Sequence, residues 1–215
     1  MAVKPPNRRQ HKSAAGRRVP YEHVTIVGAG AAGRQLALQL VAFGIPKLTV
    51  IDPALVQEGH IRSAGYLADD VGMPKVDAVG GLCHRTNPQL DFTGVQDRLR
   101  PEHPLRDAVF CCVGSIRDRR SIWGCTKSQC RLWIDVRLVG DKIQVLTARD
   151  EPSRRAYVAT LAAQPRREWS TSPPIYQAAM AASLAVAQFA RCQYRTPAAP
   201  LLFDLARHLV GTDGE

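Results

Sequence analysis

His23-Val24-Thr25-Ile26-Val27-Gly28-Ala29-Gly30-Ala31-Ala32-Gly33, with the residues that follow it to Asp52, decides the reading of this chain. Val24 to Val27 is a short apolar, β-branched run of the kind that forms a buried strand. The glycines follow at once, and Arg34 to Phe43 continues with Leu36, Ala37 and Leu40 at helical spacing up to a stop at Gly44. A second strand, Leu48-Thr49-Val50-Ile51, closes on Asp52, about 20 residues past the last glycine, where dinucleotide-binding folds keep an acid. In such a turn Gly28 permits the tight bend, Gly30 lets a phosphate approach the backbone, and Gly33 lets helix and strand pack closely. Free amides and the helix dipole then hold the anion, while Asp52 accepts hydrogen bonds from ribose hydroxyls. Gly28, Ala29, Gly30, Gly33 and Asp52 are therefore the predicted nucleotide contacts.

Downstream, Pro53 to Ala68 reads as a loop, and Gly72-Met73-Pro74-Lys75 leads into a helix that stops near Thr86-Asn87-Pro88. Asp91 to Val95 is a third strand, and Asp107 to Val113 is a buried one ending at Gly114. Ser115 caps a polar helix through Ile116, Arg119, Ile122 and Trp123. Leu132 to Leu138 and Ile143 to Leu146 alternate in polarity around Gly140-Asp141, which predicts a hairpin. A Pro- and Arg-rich stretch from Glu151 to Pro174 precedes an Ala-rich helix from Ile175 to Gln193. Strands alternating with helices predict an α/β fold: a Rossmann-like, doubly wound, mostly parallel sheet with an added antiparallel hairpin. The chain divides into a basic tail, 1–20, expected to be disordered, a nucleotide-binding domain, 21–195, and a C-terminal extension, 196–215. In that extension Leu201, Leu202, Leu205 and Leu209 suggest a short amphipathic helix.

The net charge of +10 is in part a property of the tail. Residues 1–20 hold six of the 29 basic residues and no acid, so the remainder carries 23 basic against 19 acidic side chains. Without interleaved aromatics or an RNA-binding motif, nucleic acid is not an expected partner. No apolar run is long enough to span a bilayer and no signal-peptide core follows the start, which together with six cysteines lacking any C-x-x-C pair points to a cytoplasmic location and no metal site.

Four anchors in order resemble the ThiF/MoeB/HesA family, bacterial relatives of ubiquitin-activating enzymes: the glycine turn, Ile51-Asp52-Pro53, Gly72-Met73-Pro74-Lys75 and Thr86-Asn87-Pro88. The likeness covers roughly residues 22–192. It implies ATP and Mg2+ as cofactors, a ubiquitin-like or sulfur-carrier protein as partner, a homodimer as the working unit, and adenylation of the partner's C-terminal glycine. It also implies that Lys75 meets the triphosphate. The glycine turn taken alone fits an NAD- or FAD-binding oxidoreductase, and the fold taken alone fits a non-catalytic scaffold.

The chain departs from the family pattern in three places. The family's Asn, two residues and Arg become His60-Ile61-Arg62-Ser63, its Asp-Asn becomes Gly114-Ser115, and no thiol stands in Trp169-Ser170-Thr171-Ser172. Arg62 from its loop, and Asp118 one helical turn beyond Gly114, are the candidate catalytic substitutes. Arg117 or Arg119 could add positive charge, as could Arg8, Arg9, Arg17 or Arg18 of the tail.

Overall fold

A computed structural model describes residues 21–103, 105, 107–162, 173–194 and 201–205. Its strands are β1 His23–Val27, β2 Lys47–Ile51, β3 Asp91–Val95, β4 Ala108–Cys111, β5 Leu132–Val139, β6 Lys142–Ala148 and β7 Leu201–Asp204. Its helices are α1 Ala31–Phe43, α2 Gly59–Ala64, α3 Lys75–Thr86, α4 Ile116–Thr126, α5 Glu151–Ala162 and α6 Ile175–Tyr194, with a single 3-10 turn at Ala68–Asp70.

The strands form one sheet in the order β3-β2-β1-β4-β5-β6-β7, the first five parallel and the last two antiparallel. This is the expected doubly wound sheet with its hairpin. The chain runs outward from β1 through β2 to β3, then returns to the other side of β1 as β4. That reversal opens a crevice beyond the carboxyl ends of β1 and β4, where open α/β sheets bind ligands.

Side-chain alternation divides the core in two. Ala108 and Phe110 of β4 join the layer under α1, α3 and α6, whereas Val109 and Cys111 join the layer under α4 and α5. Small residues let α6 approach closely: Ala178, Ala181, Ala182 and Ala185 are fully buried, and Phe189 fills the space beside Phe110 at 5.5 Å between ring centroids. No helix among the described residues is long and apolar enough to cross a membrane.

Three local expectations need correction. The stretch read as a loop after Pro53 contains α2, which Gly65 ends in a left-handed conformation. The Pro- and Arg-rich stretch opens with α5, whose first turn tolerates Pro152 because an N–H at that position would have no partner within the helix, while Asp150 accepts the Ser153 N–H beside it. Leu201–Asp204 is a strand rather than the start of an amphipathic helix, since the free edge of β6 offers it a hydrogen-bonded ladder. The tail 1–20, Trp169 to Ser172 and most of 196–215 lie outside the described residues.

Candidate functional site

The glycine turn is held by contacts that its sequence only half suggests. Gly28 leaves β1 with φ +97°, and a Cβ there would stand 3.0 Å from the Cys112 carbonyl oxygen. Gly33 lies so close beneath the turn that a Cβ would fall 1.8 Å from the Gly28 carbonyl oxygen. Gly30, the N-cap of α1, would meet nothing within 4 Å and faces open space. The first turn of α1 carries no acidic residue and no side-chain cap, so the protein leaves the positive end of this helix uncompensated.

Asp52 completes the turn. It is 8% exposed; its Oδ2 accepts the Ala29 N–H at 2.7 Å and its Oδ1 accepts the Ala54 N–H at 2.8 Å. The Tyr66 hydroxyl donates to the Ala29 carbonyl at 2.6 Å, so both backbone groups of Ala29 are satisfied within the protein. Burial, reinforced by Asp52, pushes the Tyr66 hydroxyl above the ordinary tyrosine range and keeps it a donor. Arg34 lies beneath it, its guanidinium 5.0 Å from the ring centroid.

Beyond the turn the crevice has two lobes that share Gly30, Lys75, Cys112, Val113 and Gly114 as common walls. The larger, about 350 Å³, is lined by Gly28 and Asp52 with Asp97, Arg98 and Asp118. The smaller, about 160 Å³, is lined by His60, Ser63, Arg119, Leu138 and Pro173, with no carboxylate among the described residues of its wall. Lys75 opens α3 behind Pro74 and is only 7% exposed. Burial lowers its pKa, opposed by Asp52. The His60 Nδ1 accepts the Gln57 N–H at 2.9 Å, which leaves Nε2 to carry the hydrogen. Burial and then Lys75 lower the His60 pKa, so at neutral pH the ring is an uncharged donor.

Arg119 reaches the smaller lobe from a buried network. Its Nε donates to Asp135 Oδ1 at 2.8 Å and its Nη2 to the Val136 carbonyl at 2.9 Å. Asp135 also accepts from Arg137 Nε at 2.6 Å and from the Tyr157 hydroxyl at 3.1 Å, and Arg137 continues to Thr160 at 2.9 Å. The floor of the lobe is thereby tied to α5. Trp123, Trp133 and Tyr157 pack edge to face beside this network at 4.8 to 5.6 Å between centroids.

Of the predicted contacts, Gly28, Gly30, Asp52 and Lys75 come together at the crevice, while Ala29 and Gly33 brace the turn from behind. The two candidate catalytic substitutes part company. Asp118 lines the larger lobe, half exposed and 3.9 Å from Arg98. Arg62 is exposed on α2 and lies outside the lining of either lobe. Ser115 turns its hydroxyl to the Asp118 N–H at 3.1 Å as the cap of α4. Burial pushes the Cys111 thiol up to about 12 and Cys112 well above the ordinary range. Burial raises Cys130 to about 11, against the opposing pull of Arg154.

Tyr66, Asp135, Arg137 and Tyr157 carry no motif, and sequence reasoning passes over them. Arg119 did leave a signal, since it falls on the apolar stripe Ile116, Arg119, Ile122, Trp123 of α4, where a charge demands a buried partner.

The sequence pattern of the ThiF family matches residues 12–196. The ubiquitin-like modifier-activating enzyme ATG7 of Saccharomyces cerevisiae is 34% identical over 121 residues, which span 46% of this chain and 19% of that protein. The adenylyltransferase and sulfurtransferase UBA4 of Yarrowia lipolytica is 27% identical over 97 residues, 43% of this chain and 24% of that protein. The matched stretch is thus under a quarter of either relative. Among solved structures, PaaA superposes with a TM-score of 0.66 at 18% identity, over 86% of this chain and 70% of its own. Escherichia coli MccB, crystallised with MccA, superposes at 0.64 and 14% identity, over 86% of this chain and 63% of its own. At those identities the likeness is one of fold.

Proposed function

The chain belongs to the ThiF family, and from that premise we propose that its crevice binds ATP and adenylates the C-terminal glycine of a ubiquitin-like or sulfur-carrier protein. The observation that carries this reading is the junction of the two lobes at Gly30 and Lys75. The larger lobe has the size and the acid for an adenosine, with Asp52 still offering lone pairs to ribose hydroxyls. The phosphates then lie over Gly30 and the N-terminus of α1, within reach of Lys75. A carboxylate entering the smaller lobe meets Arg119 and the His60 Nε2–H. One of its oxygens attacks the α-phosphorus, the bond to the bridging oxygen breaks, and pyrophosphate leaves with the electron pair. Positioning and charge neutralisation carry such a reaction. The step ends at the acyl-adenylate.

Asp118, half exposed on the wall of the larger lobe, is the carboxylate that would hold a magnesium ion there, and such an ion would supply charge neutralisation on the phosphates. A second reading, that of a nucleotide-holding partner without turnover, is favoured by Gly114-Ser115 and by the exposure of Arg62. Pyrophosphate exchange separates the two: label returning to ATP in the presence of a ubiquitin-like protein supports adenylation, and none defeats it. A thermal-shift series comparing ATP with NAD and FAD tests the oxidoreductase alternative, which requires stabilisation by the dinucleotide alone. The homodimer belongs to the same proposal, with the exposed Leu55, Leu67, Val71 and Met73 available to be covered, and sedimentation velocity tests it.

A further inference from the structure

Helix α4 has a second open side. Ser121 and Ile122 line the larger lobe of the crevice, whereas Trp123 and Lys127 turn to a separate hollow of about 430 Å³, closed across from them by Glu151, Arg154, Arg155 and Val158 of α5. Its walls carry three basic side chains against one acid. Arg120 is exposed two turns before Lys127 on the same stripe of α4, and its Nη2 donates to the Leu161 carbonyl of α5 at 2.8 Å. The row of positive charge therefore continues along the seam between the two helices. Val158 remains 48% exposed at this hollow, so the charged rim surrounds an uncovered apolar side chain.

The chemistry of the rim narrows what can lie there. Each guanidinium nitrogen of Arg154 already donates to a backbone carbonyl, those of Lys127, Arg149 and Cys130. Its charge is thus present as a field, and a small anion finds no converging set of donors, whereas a chain bearing several acids is attracted by the whole rim. Arg155 pairs with Glu151 at 2.9 Å on the exposed edge, an ion pair that solvent weakens and a partner's acid can join. Nucleic acid is disfavoured because the hollow's aromatic ring, Trp123, is 6% exposed with the Arg154 guanidinium 5.8 Å from its centroid, which leaves no open face for a base to stack on. A second copy of this chain would bring like charges together across a two-fold axis.

We propose that the hollow between α4 and α5 docks an acidic segment of a partner protein, its carboxylates meeting Arg120, Lys127 and Arg155 and an apolar side chain among them covering Val158. The rim charges draw the segment in and set its polarity, and the apolar contact holds it. The hollow shares no lining residue with either lobe of the crevice, so the docking stands whether or not the crevice takes a nucleotide.

The test is fluorescence anisotropy on the full chain at about 0.1 M salt, where charges more than about 10 Å away are largely screened. Three labelled probes are titrated: a peptide of glutamates flanking two leucines, the same peptide with serines in place of the leucines, and an oligothymidylate of equal charge. The leucine peptide binds the wild type in the micromolar range. Lys127→Glu with Arg155→Glu weakens it by about tenfold or more. Arg62→Glu with Arg85→Glu makes the same change of charge on α2 and α3, across the sheet, and stays within about threefold of the wild type. Val158→Ser weakens the leucine peptide by about threefold or more and leaves the serine peptide unchanged. No saturable binding of the leucine peptide, or equal loss in the two double variants, overturns the proposal. Tighter binding of the oligothymidylate than of the leucine peptide gives the face to nucleic acid and overturns it as well. A sedimentation velocity altered by Lys127→Glu with Arg155→Glu assigns the hollow to a second copy, with the same result.

Discussion

Replacing Gly33 by alanine is the sharpest single test of how the turn is built. The added Cβ would sit 1.8 Å from the Gly28 carbonyl oxygen, whereas an ordinary contact begins near 3.4 Å. About 1.5 Å must therefore be found by moving α1 away from β1 or by rotating the Gly28 peptide. Overpacking of this kind costs about 1–3 kcal/mol, and the obstacle is backbone rather than a yielding side chain, so the upper end applies. In a chain of this size about 3 kcal/mol lowers the midpoint of thermal unfolding by about 6–12 °C. The same displacement pulls the Ala29 amide off Asp52, so nucleotide binding falls with stability. Gly30→Ala is the control. Its Cβ meets nothing within 4 Å and its φ is −73°, so the fold bears no strain. It gains about 0.4–1 kcal/mol from a less flexible unfolded chain. Because Gly30 faces both lobes, its new methyl obstructs the phosphates and weakens ATP by about tenfold or more. Urea denaturation and calorimetry read the two effects separately. A Gly33→Ala protein that unfolds at the wild-type midpoint, or a Gly30→Ala protein that unfolds as early as Gly33→Ala, refutes the account.

Asp135→Ala removes the acid between Arg119 and Arg137 and should destabilise by about 3–5 kcal/mol in urea, the usual consequence of breaking a buried ion pair from one side; a loss under about 1 kcal/mol contradicts it. Tyr66→Phe leaves the ring on Arg34 but deletes the hydrogen bond to Ala29, and should cost about 0.5–1.5 kcal/mol with weaker ATP binding. Lys75→Met should abolish ATP binding while raising stability at neutral pH. Burial lowers the folded pKa of Lys75 below its unfolded value of about 10.4, so the desolvation cost is fully present below the folded pKa. That cost disappears as pH rises from the folded to the unfolded value. The stability advantage of Lys75→Met should accordingly shrink as pH is raised toward about 10, and a pH-independent difference between the two proteins speaks against a buried, desolvated ammonium.

The sheet and the turn were legible because their signals are local. Val24 to Val27, the glycines and Asp52 lie within one βαβ unit, and the period of two in β5 and β6 survives in the sequence. Lys75 was legible only through its neighbours, since a lysine at a helix start is ordinarily solvated. What escaped was non-local or ambiguous. Leu201 and Leu202 can belong to a helix or a strand, and the edge of β6 decides between them. Asp135 and Arg119 lie 16 residues apart, one on a strand and the other on a helix, so their pairing exists only once β5 is laid beside β4. Arg62 and Asp118 were both chosen for charge and chain position, and only the second is carried into the crevice.

The cluster of Trp123, Trp133 and Tyr157 also gives the molecule an optical readout. Trp123 sits one helical turn beyond Arg119 on α4, and the Tyr157 hydroxyl is bound to the carboxylate that holds Arg119. Anything that arrives in the smaller lobe and draws on that guanidinium shifts the electric field across two indoles shielded from water. Intrinsic emission, read without label or substitution, therefore follows occupancy of the crevice in real time.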